Sequence, residues 1–210
     1  VKQMFGGIGQ NFVNPALTAR IILMNSFPAK MTAWTAPMDH SFSDAMTTAT
    51  PLGVLSEGTG AALPSYLDMF LGNTGGCLGE TCALALILGG IYLVARRVIS
   101  PVIPLIYIGT VFVFTFLFGG FNLTYSLSEI CAGGLIFGAF FMATDYVTSP
   151  LTPKGQIVYG LILGIVTGIF RLWGASPEGV SYAIIFSNLL VPLIERYTLP
   201  TAFGKGGQKK

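Results

Sequence analysis

Arg20, Glu80, Glu129 and Asp145 are charged residues in or beside strongly apolar stretches of this sequence. A charge inside a membrane segment is costly, so a function is the first reading for Arg20, which has Asn14 and Asn25 nearby. Its guanidinium suits a phosphate or an ion-path carboxylate. A pair with a partner subunit, or a break in the helix, would hold it equally well. Asp145 suits a salt bridge to the Arg96–Arg97 corner or a place on a cation path. Glu80, Glu129 and Glu178 read as acidic residues that favour helix N-termini. The densest hydroxyl chemistry is Asp44-Ala45-Met46-Thr47-Thr48-Ala49-Thr50-Pro51-Leu52, which as a bare string is a Thr-rich connector. One histidine, His40, and three cysteines without a CxxC argue against a zinc or cysteine-only iron–sulfur site within this chain. A cluster shared with a partner chain stays open. No GxSxG is present, and the glycine strings lack the lysine of a phosphate-binding loop.

The elements that must position these residues follow from composition. The 210 residues are 52% hydrophobic and 10% charged, with a mean hydropathy of +0.71. A soluble domain is nearer one-quarter charged. The net charge of +2 is too small to capture a polyanion, so no nucleic-acid partner is expected. No Asp, Glu, Lys or Arg occurs from Val98 to Ser128, and other uncharged runs approach the length that crosses a bilayer core. The fold class is all-α, a polytopic transmembrane bundle embedded in lipid, with room for inverted repeats and broken helices. Six segments are expected: residues 11–27, 80–99 (B), 101–120 (C), 128–147 (D), 155–173 (E) and 179–197 (F). Pro15 and Arg20 interrupt the first. Residues 28–79 read as an extramembrane loop with a short helix over Ser65–Leu71.

Basic residues sit at the B–C link (Arg96, Arg97), the D–E link (Lys154) and the tail (Arg196, Lys205, Lys209, Lys210). The positive-inside rule places these in the cytoplasm, and the 28–79 loop on the outer face. Gly6-Gly7-Ile8-Gly9-Gln10-Asn11 and Gly75-Gly76-Cys77-Leu78-Gly79-Glu80 are similar leaders into opposite-facing segments, the pattern of an inverted repeat.

The Asp44–Thr50 string resembles the covalent flavinylation motif, commonly Asp-x-x-Ser-Gly-Ala-Thr. Asp44 and Ala49 stand in their motif places, Thr47 replaces Ser and Thr48 replaces Gly, and Thr50 matches the acceptor. Further strings resemble one family: Gly6 to Leu17, Gly79-Glu80-Thr81, Ser100 to Pro104, Ala143-Thr144-Asp145-Tyr146-Val147-Thr148-Ser149-Pro150, Ser176 to Ala183 and Pro192 to Thr198. The chain is similar throughout to the NqrB/RnfD family. That family comprises the D component of the Rnf (Rsx) electron transport complex and the B component of the sodium-pumping NADH:quinone reductase. Family members are longer at the N-terminus, so a C-terminal part of a longer chain is expected.

The resemblance implies a membrane subunit of a complex passing electrons between ferredoxin and NAD, coupled to sodium or proton movement. It implies FMN bound covalently through the Thr50 phosphoester, placed there by a flavin transferase, and room for a second flavin such as riboflavin. Other subunits would hold NADH and the iron–sulfur clusters. Asn14, Arg20 and Asp145 are the residues expected on an ion or flavin path. Alternatives are the quinone reductase component, a solute channel or transporter without flavin, and an assembly scaffold.

Overall fold

A computed structural model of the chain describes residues 2–3, 7, 9–34, 50–57, 65–77, 79–174 and 179–200. Asp44, Thr47, Thr48, Ala49 and Glu178 lie outside the described residues. All regular structure among the described residues is helical: α1 (Pro15–Ser26), α2 (Pro28–Met31), α3 (Pro51–Glu57), α4 (Tyr66–Leu71), α5 (Ala83–Ala95), α6 (Val102–Phe118), α7 (Leu123–Cys131), α8 (Leu135–Phe137), α9 (Pro153–Trp173) and α10 (Val180–Thr198). A π-helical turn, Gly138–Met142, continues α8.

Local chemistry sets the starts. Asn14 Oδ1 accepts from the N–H groups of Ala16 (3.0 Å) and Leu17 (3.3 Å), which caps α1. Pro15 is therefore the first residue of that helix, where its missing N–H costs nothing, and does not interrupt it. Thr152 Oγ1 caps α9 by accepting from Gly155 N at 3.1 Å, again with proline in the first turn. Asn122 caps α7, accepting from Thr124 N and Tyr125 N.

Segments C, E and F are single helices of 17, 21 and 19 residues. Of these, α9 is long and apolar enough by itself to cross a membrane. The helices behind both glycine-rich leaders are short, 12 residues for α1 and 13 for α5. At 1.5 Å per residue each spans only about 20 Å. Segment D is not one continuous helix. It begins at Leu123, stops at Cys131, and resumes at Leu135 after a bend of 63°.

The packing core is a seam between α6 and α9. Gly160, Gly164 and Gly168 recur every four residues on one side of α9, and Ile106, Thr110 and Phe114 recur every four residues on α6. A Cβ on Gly164 would lie 2.3 Å from Thr110 Cβ, so the two backbones meet only because the residue is glycine. The opposite side of α9 exposes Ile157, Val158, Leu161, Ile165 and Ile169. Tyr107 and Thr167 share a buried hydroxyl–hydroxyl bond of 2.7 Å across the seam.

A second buried network joins α9, α10 and the start of α1. The Asn188 amide satisfies its neighbours with Oδ1 accepting from Asn14 N (3.1 Å) and Nδ2 donating to Tyr159 Oη (2.7 Å), Ile184 O (3.2 Å) and Thr148 O (3.3 Å). The opposite orientation would face the oxygen to acceptors only.

The described part of the 28–79 stretch is more ordered than a simple loop. Ser65 caps the expected short helix, α4. Leu52 and Met69 are each 2% exposed, so α3 and α4 pack into the helical body.

Candidate functional site at the broken span

The interruption between α7 and α8 is built from Ala132, Gly133 and Gly134. Gly133 has φ +68, a conformation side chains resist, and a Cβ there would also come within 3.0 Å of Leu52 Cδ2. Each exposed helix end at this break faces an opposite charge. At the carbonyl end of α7, Arg171 Nη1 donates to Glu129 O and to Glu129 Oε2 (2.9 Å), and Nη2 donates to Ala132 O (3.1 Å). At the amino end of α8, Glu80 Oε1 would lie only 2.7 Å from a Cβ on Gly134. That same oxygen accepts from Arg20 Nη1 at 2.7 Å. A cation at a helix C-terminus and an anion at an N-terminus both match the peptide dipoles.

Two of the sequence expectations change here. Glu80 is committed to Arg20 and does not cap a helix of its own; α5 starts three residues later, at Ala83. Glu129 lies in the last turn of α7, not at a helix start, and is 2% exposed. The reason is that the α7 cap falls at Asn122, one helix turn and more upstream of the expected boundary. Arg20 finds a carboxylate within the chain.

Thr50 adjoins the break. Its Oγ1 accepts from Gly53 N at 3.1 Å, and its carbonyl accepts from Val54 N, so it caps α3. It is half-buried and lines a slot of about 20 Å³ with Thr74, Gly75, Gly76, Glu80 and Gly133. Cys131 and Ala132 complete the side formed by the broken span. The hydroxyl is thus held at a helix start, rather than hanging free on an open loop.

Asn14 and Asp145 meet elsewhere. They line a cleft of about 390 Å³ with Asn11, Phe140, Phe141 and Tyr146. Asn14 Nδ2 reaches Met142 O at 3.4 Å, and Asp145 Oδ2 accepts from Thr148 Oγ1 at 3.0 Å. The bridge from Asp145 to Arg96 or Arg97 does not form among the described residues; Tyr146 Oη instead donates to Val98 O and ties this corner to the α5–α6 link. Tyr159, which contacts the Asn14 network, and Arg171, at the break, are twelve residues apart on α9. That is a rise of about 18 Å along the helix between the Asn14 network and the break.

The Arg171–Glu129 pair was not among the sequence expectations. A usable signal existed: the alternating loop charges put Glu129 and Arg171 at the same membrane boundary, in otherwise uncharged surroundings.

Residues 1–204 match the model of the NQR2, RnfD, RnfE family. The chain belongs to this family. It is 49% identical to the D component of the Na(+)-translocating ferredoxin:NAD(+) oxidoreductase complex of Acetobacterium woodii, over 100% of this chain and 64% of that protein. It is 45% identical to the D component of the proton-translocating ferredoxin:NAD(+) oxidoreductase complex of Clostridium ljungdahlii, over 97% of this chain and 64% of that one. The D component of the ion-translocating oxidoreductase complex of Stutzerimonas stutzeri is 35% identical, with 68% of its length covered. The chain thus spans just under two-thirds of the length of the first two of these NQR2, RnfD, RnfE relatives.

Proposed function

We propose that this chain is a membrane subunit of an ion-translocating ferredoxin:NAD oxidoreductase, and that it carries FMN on Thr50. The observation that carries the reading is the place of Thr50, its Oγ1 held by Gly53 N, in a small slot of mixed polar and apolar lining against the broken span. The residues present fit the phosphoester. Esterification replaces the hydroxyl proton, while the bond to Gly53 N uses a lone pair of the oxygen and survives. Gly53 carries no Cβ, which would stand 3.3 Å from the oxygen, and a slot of about 20 Å³ has no room for an isoalloxazine ring. When bound, the flavin supplies the redox chemistry. Thr50 tethers it, the α3 cap fixes the tether, and the paired charges at the break set the field around it.

The larger cleft fits a second flavin such as riboflavin. Its volume lies in the range of ligand sites, and aromatic faces meet amide and carboxylate groups there. This assignment gives Asn14 and Asp145 a flavin-facing or ion-path role, and Arg20 a place beside the Thr50 slot. The relatives' names favour the ferredoxin:NAD complex over the quinone reductase, and they include both a sodium and a proton translocase. The setting proposed is a bacterial or archaeal cytoplasmic (inner) membrane, with the other subunits of the Rnf-type complex as partners and a flavin transferase for maturation. The tail faces the cytoplasm and the Thr50 segment the opposite side.

Peptide mass spectrometry across residues 31–79, on complex made with its flavin transferase, is expected to find one FMN phosphoester, on Thr50. The fluorescent band of this chain on a denaturing gel should vanish in Thr50→Ala. A band that persists, or an unmodified peptide, ends the reading and leaves the channel alternative. Topology has a separate test. A cysteine at Ser56, in α3, should react with an impermeant maleimide added from outside intact cells. Reaction only after cell opening would invert the orientation.

A further inference from the structure

Broken membrane helices in ion carriers commonly offer the carbonyls of a half-helix C-terminus to a bound metal cation. The α7 end has such a donor set: the carbonyl oxygens of Glu129 and Ala132 and one oxygen of the Glu129 carboxylate. All three converge on the Arg171 guanidinium, whose side chain is 0% exposed. The third nitrogen of that group, Nε, is buried and has no partner among the described residues. The group is therefore seated by its charge at the carbonyl end, and not by a full match of its donors.

We propose that Arg171 is a resident cation, filling the position a metal ion takes in other broken spans. It acts as a positioning residue: it closes the end of α7 so that Gly133 keeps its left-handed turn and forms the floor beneath Leu52. The would-be Cβ of Gly133 lies 3.7 Å from Arg171 Nη2 and 3.0 Å from Leu52 Cδ2, so the cation and the segment that follows Thr50 bear on one residue. With the position filled covalently, the break holds its shape whatever ion is in the medium, and the translocated ion does not stop there.

Cys131, half-buried at the last residue of α7, reports the state of the break without any flavin. The experiment uses the assembled complex with Cys77→Ser and Cys82→Ser in this chain, and follows labelling of Cys131 by a membrane-permeant maleimide. In Arg171→Ala the labelling rate should rise about tenfold, as expected when a buried charge loses its partner and the element opens. Added guanidinium ion, well below denaturing concentration, should return the rate toward the parent value, whereas choline at equal ionic strength should not. Arg171→Lys, which keeps a cation, should stay within about twofold of the parent. An unchanged rate in Arg171→Ala, or a rise that guanidinium leaves in place, overturns the proposal. If Arg171→Ala does not assemble, Arg171→Lys decides alone: a large rise there overturns it, and a parent-like rate supports it. In-gel flavin fluorescence is read in parallel; its absence from the parent chain would end the Thr50 assignment and leave the labelling result standing.

Discussion

Gly164→Leu is expected to prevent the chain from reaching its folded state in the complex. Overpacking a core by a few methylenes costs about 1–3 kcal/mol when neighbours can move. Here the first added atom already meets Thr110 Cβ at 2.3 Å and the Tyr107 carbonyl oxygen at 3.2 Å, and backbone cannot yield as a side-chain tip can. The loss should therefore lie at or beyond the upper end of that range. Gly109→Leu is the matched control. It lies on α6 with nothing within 4 Å of a Cβ, so its stability should be unchanged or slightly raised by the better helix former. Melting temperature and yield of the detergent-solubilised complex measure both. Equal behaviour of the two variants would mean that the α6–α9 seam does not hold the bundle together.

Glu80→Met should lower stability, by up to about 3–5 kcal/mol, because it removes from a largely buried pair the carboxylate that Arg20 Nη1 bonds at 2.7 Å. The side chains of Arg20 and Glu80 are 17% and 8% exposed, so water can repay little of the loss. Adding Arg20→Met should recover much of the stability, since replacing a whole buried pair by apolar groups is often close to neutral. The double variant still lacks the anion at the amino end of α8, so recovery should be incomplete. Thermal unfolding of the two single variants and the double variant forms the cycle. A double variant no better than Glu80→Met would remove the ion pair as the cause.

Apolar length made the long helices legible. The 17, 21 and 19 residues of α6, α9 and α10 lie where uncharged runs of sequence predicted them. Segment D shows the limit. Its hydrophobicity continues across Ala132-Gly133-Gly134, and hydropathy averages over a break that only backbone geometry at Gly133 makes visible. Individual charges were legible as anomalies, but their partners were not. Arg20 and Glu80 are 60 residues apart and Arg171 and Glu129 are 42 apart, and nothing local in a sequence couples such positions. Asn122 has no role in the sequence expectations; its cap shifts α7 upstream and moves Glu129 from a helix start to a helix end. Thr50 drew attention through its motif, while the hydrogen bond that fixes its hydroxyl depends on where α3 begins.

The one-sided glycine spacing of α9 also sets what the chain can tolerate over evolutionary change. The Ile157–Ile169 side is about 40% exposed within this chain, so replacing one aliphatic residue there by another should disturb its fold little. An insertion or deletion is another matter. One added residue between Gly160 and Gly164 would rotate everything beyond it by about 100°, swinging Gly164 and Gly168 away from α6 and carrying Arg171 out of reach of Glu129. A change in the length of this helix should therefore be tolerated less well than most single replacements along it.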